Sequence, residues 1–234
     1  MKEVNEAGEF KSGSMAENIE TYGLKTFGRL FGISRQALVN DDLNSFSSMA
    51  RKMGFAAAEF ENAFLLNKIT SNPVMNDKKT LFHADHNNIA IAAALNVTSI
   101  GDMKKLMRLQ KGLDNKTPVN AIPAFILAPA NLEAAGEEII ANIYPTTASE
   151  VNPFSGKLEL LVEPRLDAVN EEGYYLFSDP LLMPVLQYAY LSGAEGPQIF
   201  TQEGFNTDGM EFKVRTDFGA GVIEHRGAVY NQGV

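Results

Sequence analysis

Cysteine is absent from all 234 residues. That excludes disulfide scaffolds, thiol catalysis and cysteine-based zinc sites, and it fits a reducing compartment. No stretch approaches the ~20 consecutive apolar residues of a membrane-spanning helix. The opening Met1-Lys2-Glu3-Val4-Asn5-Glu6 has no apolar signal core, so secretion by that route is not expected. Basic charge is short: 20 Lys and Arg face 29 Asp and Glu, for a net charge of −9 and a pI of about 4.9. Such a chain lacks the basic footprint of a tight, sequence-specific DNA binder, though local patches leave room for weak contact.

The signatures of chemistry are missing too. There is no Gly-x-Ser-x-Gly elbow for a serine nucleophile. Neither Gly-x-x-x-x-Gly-Lys-[Ser/Thr] nor Gly-x-Gly-x-x-Gly occurs, so nothing marks a nucleotide cradle. Asn152-Pro153-Phe154-Ser155-Gly156-Lys157 holds one glycine and reads as a hairpin turn. The paired carboxylates Glu137-Glu138 and Glu171-Glu172 are sequence neighbours, whereas acid–base catalysis needs groups converging from different elements. Three histidines remain, His83, His86 and His225. His83-Ala84-Asp85-His86 has a spacing that could offer metal ligands, but without a helical His-Glu-x-x-His frame it reads better as a hydrogen-bonded turn. No catalytic, cofactor-binding or metal residue is assigned.

What is present is architecture. Hydrophobic residues make up 45% and charged residues 21%, a globular balance. Residues 1–32 contain five glycines and two thin strands, Gly8–Lys11 and Ile19–Phe27, around a Ser12-Gly13-Ser14 turn. A hairpin of this kind needs something to lie against. Asn40 then caps a helix with Asp41 and Asp42 in its first turn. Leu43, Phe46, Ala50, Met53, Ala57, Phe60 and Phe64 follow at helical spacing to about Lys68. At 1.5 Å per residue this is a rod of about 42 Å. Ser99 to Asp102 reads as a capping box opening a second helix that ends near Gly112. Its apolar side is Ile100, Met103, Leu106 and Met107; Lys104, Lys105, Arg108 and Lys111 form a basic side, suited to solvent, an acidic neighbour or phosphate.

From Ala121 strands dominate. Ala124–Ala128 reads as buried, Asn131 as the cap of a helix turning Leu132, Ala135, Ile139 and Ile140 inward, and Leu158–Glu163 and Tyr174–Phe177 as further strands. An apolar stretch covers Leu181–Leu191. After the turn signal Asn206-Thr207-Asp208-Gly209, Met210, Phe212 and Val214 alternate with Glu211, Lys213 and Arg215. Gly219-Ala220-Gly221 then leads into Val222–Arg226 as a closing hairpin. The fold class is α+β.

Several of these words, in one order, resemble a known family. Gly28-Arg29-Leu30-Phe31-Gly32-Ile33-Ser34-Arg35-Gln36-Ala37-Leu38-Val39-Asn40-Asp41-Asp42-Leu43 is similar to the major head (capsid) subunits of Mu-like tailed phages and prophages. So are Leu81–Asn88, Val151–Phe154, Leu158–Asp167 with Val162-Glu163-Pro164-Arg165, and Gly204–Tyr230 with Arg215-Thr216-Asp217-Phe218-Gly219-Ala220. The resemblance implies the Hong Kong 97 phage capsid fold, shared by encapsulin shells. It implies an extended hairpin arm at 1–39, a peripheral domain at 40–120 on a spine helix at 40–68, an axial domain at 121–204, and return strands of the peripheral domain at 205–234. Relatives carry a segment ahead of the arm, and this sequence starts within the arm. The implied function is a non-enzymatic shell subunit that assembles as pentamers and hexamers, is made in the bacterial host cytoplasm, and ends in the virion. Its partners would be copies of itself, a scaffold, a maturation protease, a portal, and packaged DNA touched without sequence reading, with no membrane and no cofactor. Glu9, Phe10 and Lys11 in the arm and Arg29 and Arg35 near its base are expected at subunit contacts. Two other readings compete: an encapsulin-like compartment, and a metal-dependent enzyme using His83 and His86.

Overall fold

Period-2 alternation at Met210–Arg215 predicts a half-buried strand, and a computed structural model places these residues in β7, Gly209–Val222. The structure describes residues 20–39, 49–114, 116–141, 157–204 and 209–234. β7 runs for 14 residues and passes straight through Gly219-Ala220-Gly221, where the sequence suggests a break. The glycines serve close approach. A Cβ on Gly219 would stand 2.5 Å from the Gly23 carbonyl oxygen, and one on Gly221 would stand 2.7 Å from Tyr22 Cβ. They let residues 22–24 lie on the strand.

Three strands share β7. β1, Lys25–Ser34, takes one edge from Lys25↔Phe218 to Ser34↔Gly209. β6, Gln198–Glu203, and β5, Leu186–Tyr190, divide the other edge, at Val214↔Ile199 and Val222↔Leu186 respectively. All pairings are antiparallel. The terminal hairpin is therefore β6–β7, and not the β7-to-222–226 hairpin that the sequence suggests. Of its turn signal, only Gly209 lies within the described residues. The second expected N-terminal strand starts six residues later than Ile19 and runs on to Ser34. Its expected mate Gly8–Lys11 and the turn at Ser12–Ser14 lie outside the described residues.

A short helix, α1 (Arg35–Val39), follows β1. α2, Met49–Thr70, is the rod the periodicity calls for, with 22 described residues spanning about 33 Å. It ends two residues past Lys68, and the expected cap Asn40 with Asp41, Asp42, Leu43 and Phe46 lies outside the described residues. Asn72, at φ 45°, closes the exit: its side chain accepts from Phe82 N and donates to Phe82 O.

The second sheet has the order β3-β2-β4-β8, built from β2 (Pro123–Ala128), β3 (Glu159–Val162), β4 (Tyr174–Ser178) and β8 (Ala228–Asn231). β2 and β3 are parallel, and the other pairs antiparallel. Both faces are covered at β2, β4 and β8, which is why these strands read as unbroken apolar runs, whereas β3 leaves Leu161 exposed. Ile126, Tyr174, Leu176 and Val229 face one cluster, with Ile100, Met103 and Met107 from α3 (Val97–Arg108) and Ile139 from α4 (Glu133–Ile140). Leu127, Tyr175, Phe177 and Tyr230 face a second, with Leu66 and Ile69 of α2 and Met75, Leu81 and Phe82 beyond it.

Two helix starts differ from their local signals. The capping box of α3 is Asn96 with Ser99 at its third position, three residues upstream of the Ser99–Asp102 box, and α3 ends at Arg108 rather than Gly112. Asn131 does not cap α4. The N-cap position of α4 is Leu132, which makes no side-chain cap hydrogen bond, and the Asp167 carboxylate instead holds the 3-10 turn 130–132 just ahead of it, accepting from Ala130 N at 2.9 Å and Asn131 N at 3.0 Å. The strand pairing also groups 123–178 with 228–231, and 25–34 with 186–222.

Asn231 ties the C-terminal strand in place. It is fully buried, its Oδ1 accepts from Ala93 N and Gly233 N, and its Nδ2 donates to Ile91 O. Asn231→Ala strands those backbone groups and should cost about 2–4 kcal/mol in urea unfolding; a loss under about 0.5 kcal/mol would contradict this network.

Candidate assembly interface

The alternation along β1 puts Phe27, Arg29, Phe31 and Ile33 on one face, in register with Thr216, Val214, Phe212 and Met210 of β7. α2 crosses this face. Phe60 and Phe64, one turn apart, hold Phe27 at ring-centroid distances of 4.7 and 5.5 Å, and Phe64 meets Phe218 at 5.6 Å. Met53 and Ala57 are buried beneath the same helix. Between helix and sheet a groove of about 440 Å³ stays open, lined by Phe27, Phe31, Met53, Phe60, Arg29 and Lys52 among others. Arg29 lies over the Phe31 ring at 5.0 Å. On the other face Thr26 bonds Asp217, and Lys213 and Arg215 lie over Phe200.

β1 is an edge strand: among the described residues it pairs with β7 alone. A ten-residue edge with exposed Leu24 and Leu30 beside it is a pairing hazard in a free monomer and a resource in an assembly. Arg29 sits mid-edge and Arg35 at the start of α1, both exposed. Glu9, Phe10 and Lys11 lie outside the described residues.

The two sheets meet at a polar junction that sequence spacing does not show. His86 Nδ1 faces the Leu81 carbonyl at 3.0 Å and Nε2 faces Asp77 Oδ2 at 2.6 Å, so both ring nitrogens are committed. His83 Nδ1 accepts from Asp85 N. The His-x-x-His segment is thus a hydrogen-bonded turn, as the sequence favours, and its lone pairs are not gathered on a common point. His225 stacks on His86 at 3.9 Å, beside the Glu224–Arg226 ion pair. Burial and the neighbouring His86 push His225 down to about 4. Burial raises the Asp77 and Glu224 carboxyls, but hydrogen bonds from His86 and Arg226 outweigh it and leave both below their ordinary values. Nearby, Arg165 bridges Glu163 and Glu59 of α2 at 3.0 and 2.5 Å, bracing helix against second sheet. At this exposure such a pair adds at most about 1 kcal/mol.

The described residues thus present an edge strand beside an open groove, a long helix and a braced polar junction. The family described as "Phage capsid protein" matches residues 18–231. The chain belongs to the phage capsid protein family. It is a structural shell subunit of a phage head. Compared by sequence with curated proteins, the capsid chain has no match. Solved structures share its fold at low identity. The capsid of Myoviridae phage XM1 is 12% identical with a TM-score of 0.57, the match covering 90% of this chain and 74% of that one. The cyanophage P-SCSP1u capsid is 10% identical with a TM-score of 0.59, covering 100% and 80%. The holo-SrpI encapsulin complex from Synechococcus elongatus PCC 7942 is 11% identical with a TM-score of 0.56, covering 89% and 73%. The capsid protein therefore has the Hong Kong 97 architecture expected from its sequence.

The His86–His225 stack gives the subunit a pH dependence. A base held at about 4 when folded, against 6.5 when free, binds its proton more readily once unfolded. Stability is complete above pH 6.5 and falls as pH drops toward 4. The lowered Asp77 and Glu224 lose their contribution mostly below their free values of 3.8 and 4.5, so between pH 7 and 5 His225 outweighs them. His225→Phe, which keeps a ring on His86, should at least halve the fall in urea midpoint between pH 7 and 5; an unchanged fall would contradict it.

Proposed function

We propose that this capsid protein is the major head subunit of a Mu-like tailed phage or prophage. Copies assemble as pentamers and hexamers into an icosahedral shell that encloses DNA. The observation that carries this reading is β1: a ten-residue edge strand whose outer edge and apolar groove face need a neighbour. In this reading residues 1–39 supply the arm and α2 the spine of the peripheral domain. The second sheet, with β8 added, forms the centre of the axial domain, while β5 and β6 from within 121–204 join the first sheet. The subunit acts without catalysis, is made in the host cytoplasm, and works with a scaffold, a maturation protease and a portal. DNA is held weakly and non-specifically. Lys104, Lys105, Arg108 and Lys111 on and just after α3 offer a local positive surface on an acidic chain.

Contents distinguish this reading from the encapsulin-like one. Particles treated with nuclease and then opened should release protected DNA; a stoichiometric enzyme cargo with no nucleic acid would overturn it. Arg29→Ala and Arg35→Ala should each lower particle yield about tenfold while leaving the subunit's unfolding free energy in urea within about 0.5 kcal/mol, since both side chains are exposed. Normal assembly of both variants would remove these arginines from the contact.

A further inference from the structure

Leu181 and Leu182 are 91% and 71% exposed on the link between β4 and β5. The link is tightly built. Asp179 Oδ1 accepts from Leu181 N, and the Asp179 carbonyl accepts from Leu182 N and Met183 N. Ser178 Oγ donates to the Met183 carbonyl at 2.8 Å. Pro180 and Pro184 restrict φ on either side, Met183 packs against the first core cluster, and Val185 is buried. Two large apolar side chains are thus presented to water on a rigid knob rather than a slack loop. An exposed apolar group fixed in this way marks a contact surface more than a random exposure does.

The groove between β1 and α2 is its complement. It is apolar at Phe27, Phe31, Met53 and Phe60, and cationic at Arg29 and Lys52, while the knob carries the Asp179 carboxylate. Its volume of about 440 Å³ falls in the range of specific binding clefts. Knob and groove sit far apart on one chain. Leu186, which follows the knob, pairs with Val222, whereas the groove is lined by Val214 and Thr216. Six to eight strand residues separate these points, about 20–26 Å. A contact between two different patches is heterologous, and repeated by rotation it closes a ring.

We infer that the Leu181–Leu182 knob of one copy seats in the groove between β1 and α2 of the next, head to tail around a capsomer. The inference rests on the shell-subunit reading and names the surfaces that carry it. Apolar burial supplies the attraction, and Asp179 against Arg29 and Lys52 sets the direction in which one copy meets the next.

A chain without cysteine makes introduced thiols unambiguous reporters. Ala56 of α2 also lines the groove, so particles of the Leu181→Cys, Ala56→Cys double variant, treated with a short bis-maleimide, should give a denaturing-gel ladder of covalent oligomers ending at five or six subunits. Either single variant should stop at dimers. Particles that form but give no ladder overturn this inference alone, as does a cross-link confined within one chain. A wild-type chain that never associates overturns the shell reading and this inference with it. If the cysteine pair impairs folding, Leu181→Ser with Leu182→Ser provides a second test. It should cut particle yield at least tenfold with an unchanged subunit urea midpoint, because both leucines already face water; unchanged yield overturns the proposal.

Discussion

Fourteen consecutive residues of β7 expose amide and carbonyl groups along two edges, and a backbone group withdrawn from water has to find a partner. β1 satisfies one edge, and β6 and β5 satisfy the other in succession. Much of the molecule follows from that accounting. Residues 22–24 pass over Gly219 and Gly221 because only glycine leaves them room. α2 lies where Phe27 and Phe218 face out of the sheet. The chain leaves β7 at Val222 and reaches β8 in the second sheet across the His86–His225 stack.

The two sheets are finished to different degrees. The second is covered on both faces at β2, β4 and β8 and carries a fully buried polar strut in Asn231. The first leaves an edge strand, an open groove and, at its far end, a leucine knob. A monomeric protein gains nothing from such surfaces and risks aggregation through them. A shell subunit needs them, because its remaining burial happens between copies. The net charge of −9 keeps copies soluble and mutually repelled until complementary surfaces dock.

Local patterns made much of this legible in the sequence. The rod of α2, the α3 apolar side and the buried runs of β2 and β4 all follow from period and composition. Family words carried the fold further than periodicity could. Most of the misses have a common physical cause: a partner distant in sequence. Asn131 looks like a cap, but it lies inside a 3-10 turn ahead of α4 whose amides are held by Asp167 across a fold contact. Gly219-Ala220-Gly221 looks like punctuation, but a passing segment requires small residues there. Ser99 and Asn96 are both good capping residues, and the box used both in a register three residues earlier. His225 gives no signal until β8's approach places it on His86. The knob at Leu181–Leu182 reads only as apolar sequence, because exposure is a property of the fold.

The most direct measurement is light-scattering mass after size exclusion, with negative-stain images of each peak. The account predicts species many times the 25.6 kDa of one chain, seen as rings, capsomers or closed shells. A strict monomer in every peak across the micromolar range would contradict it.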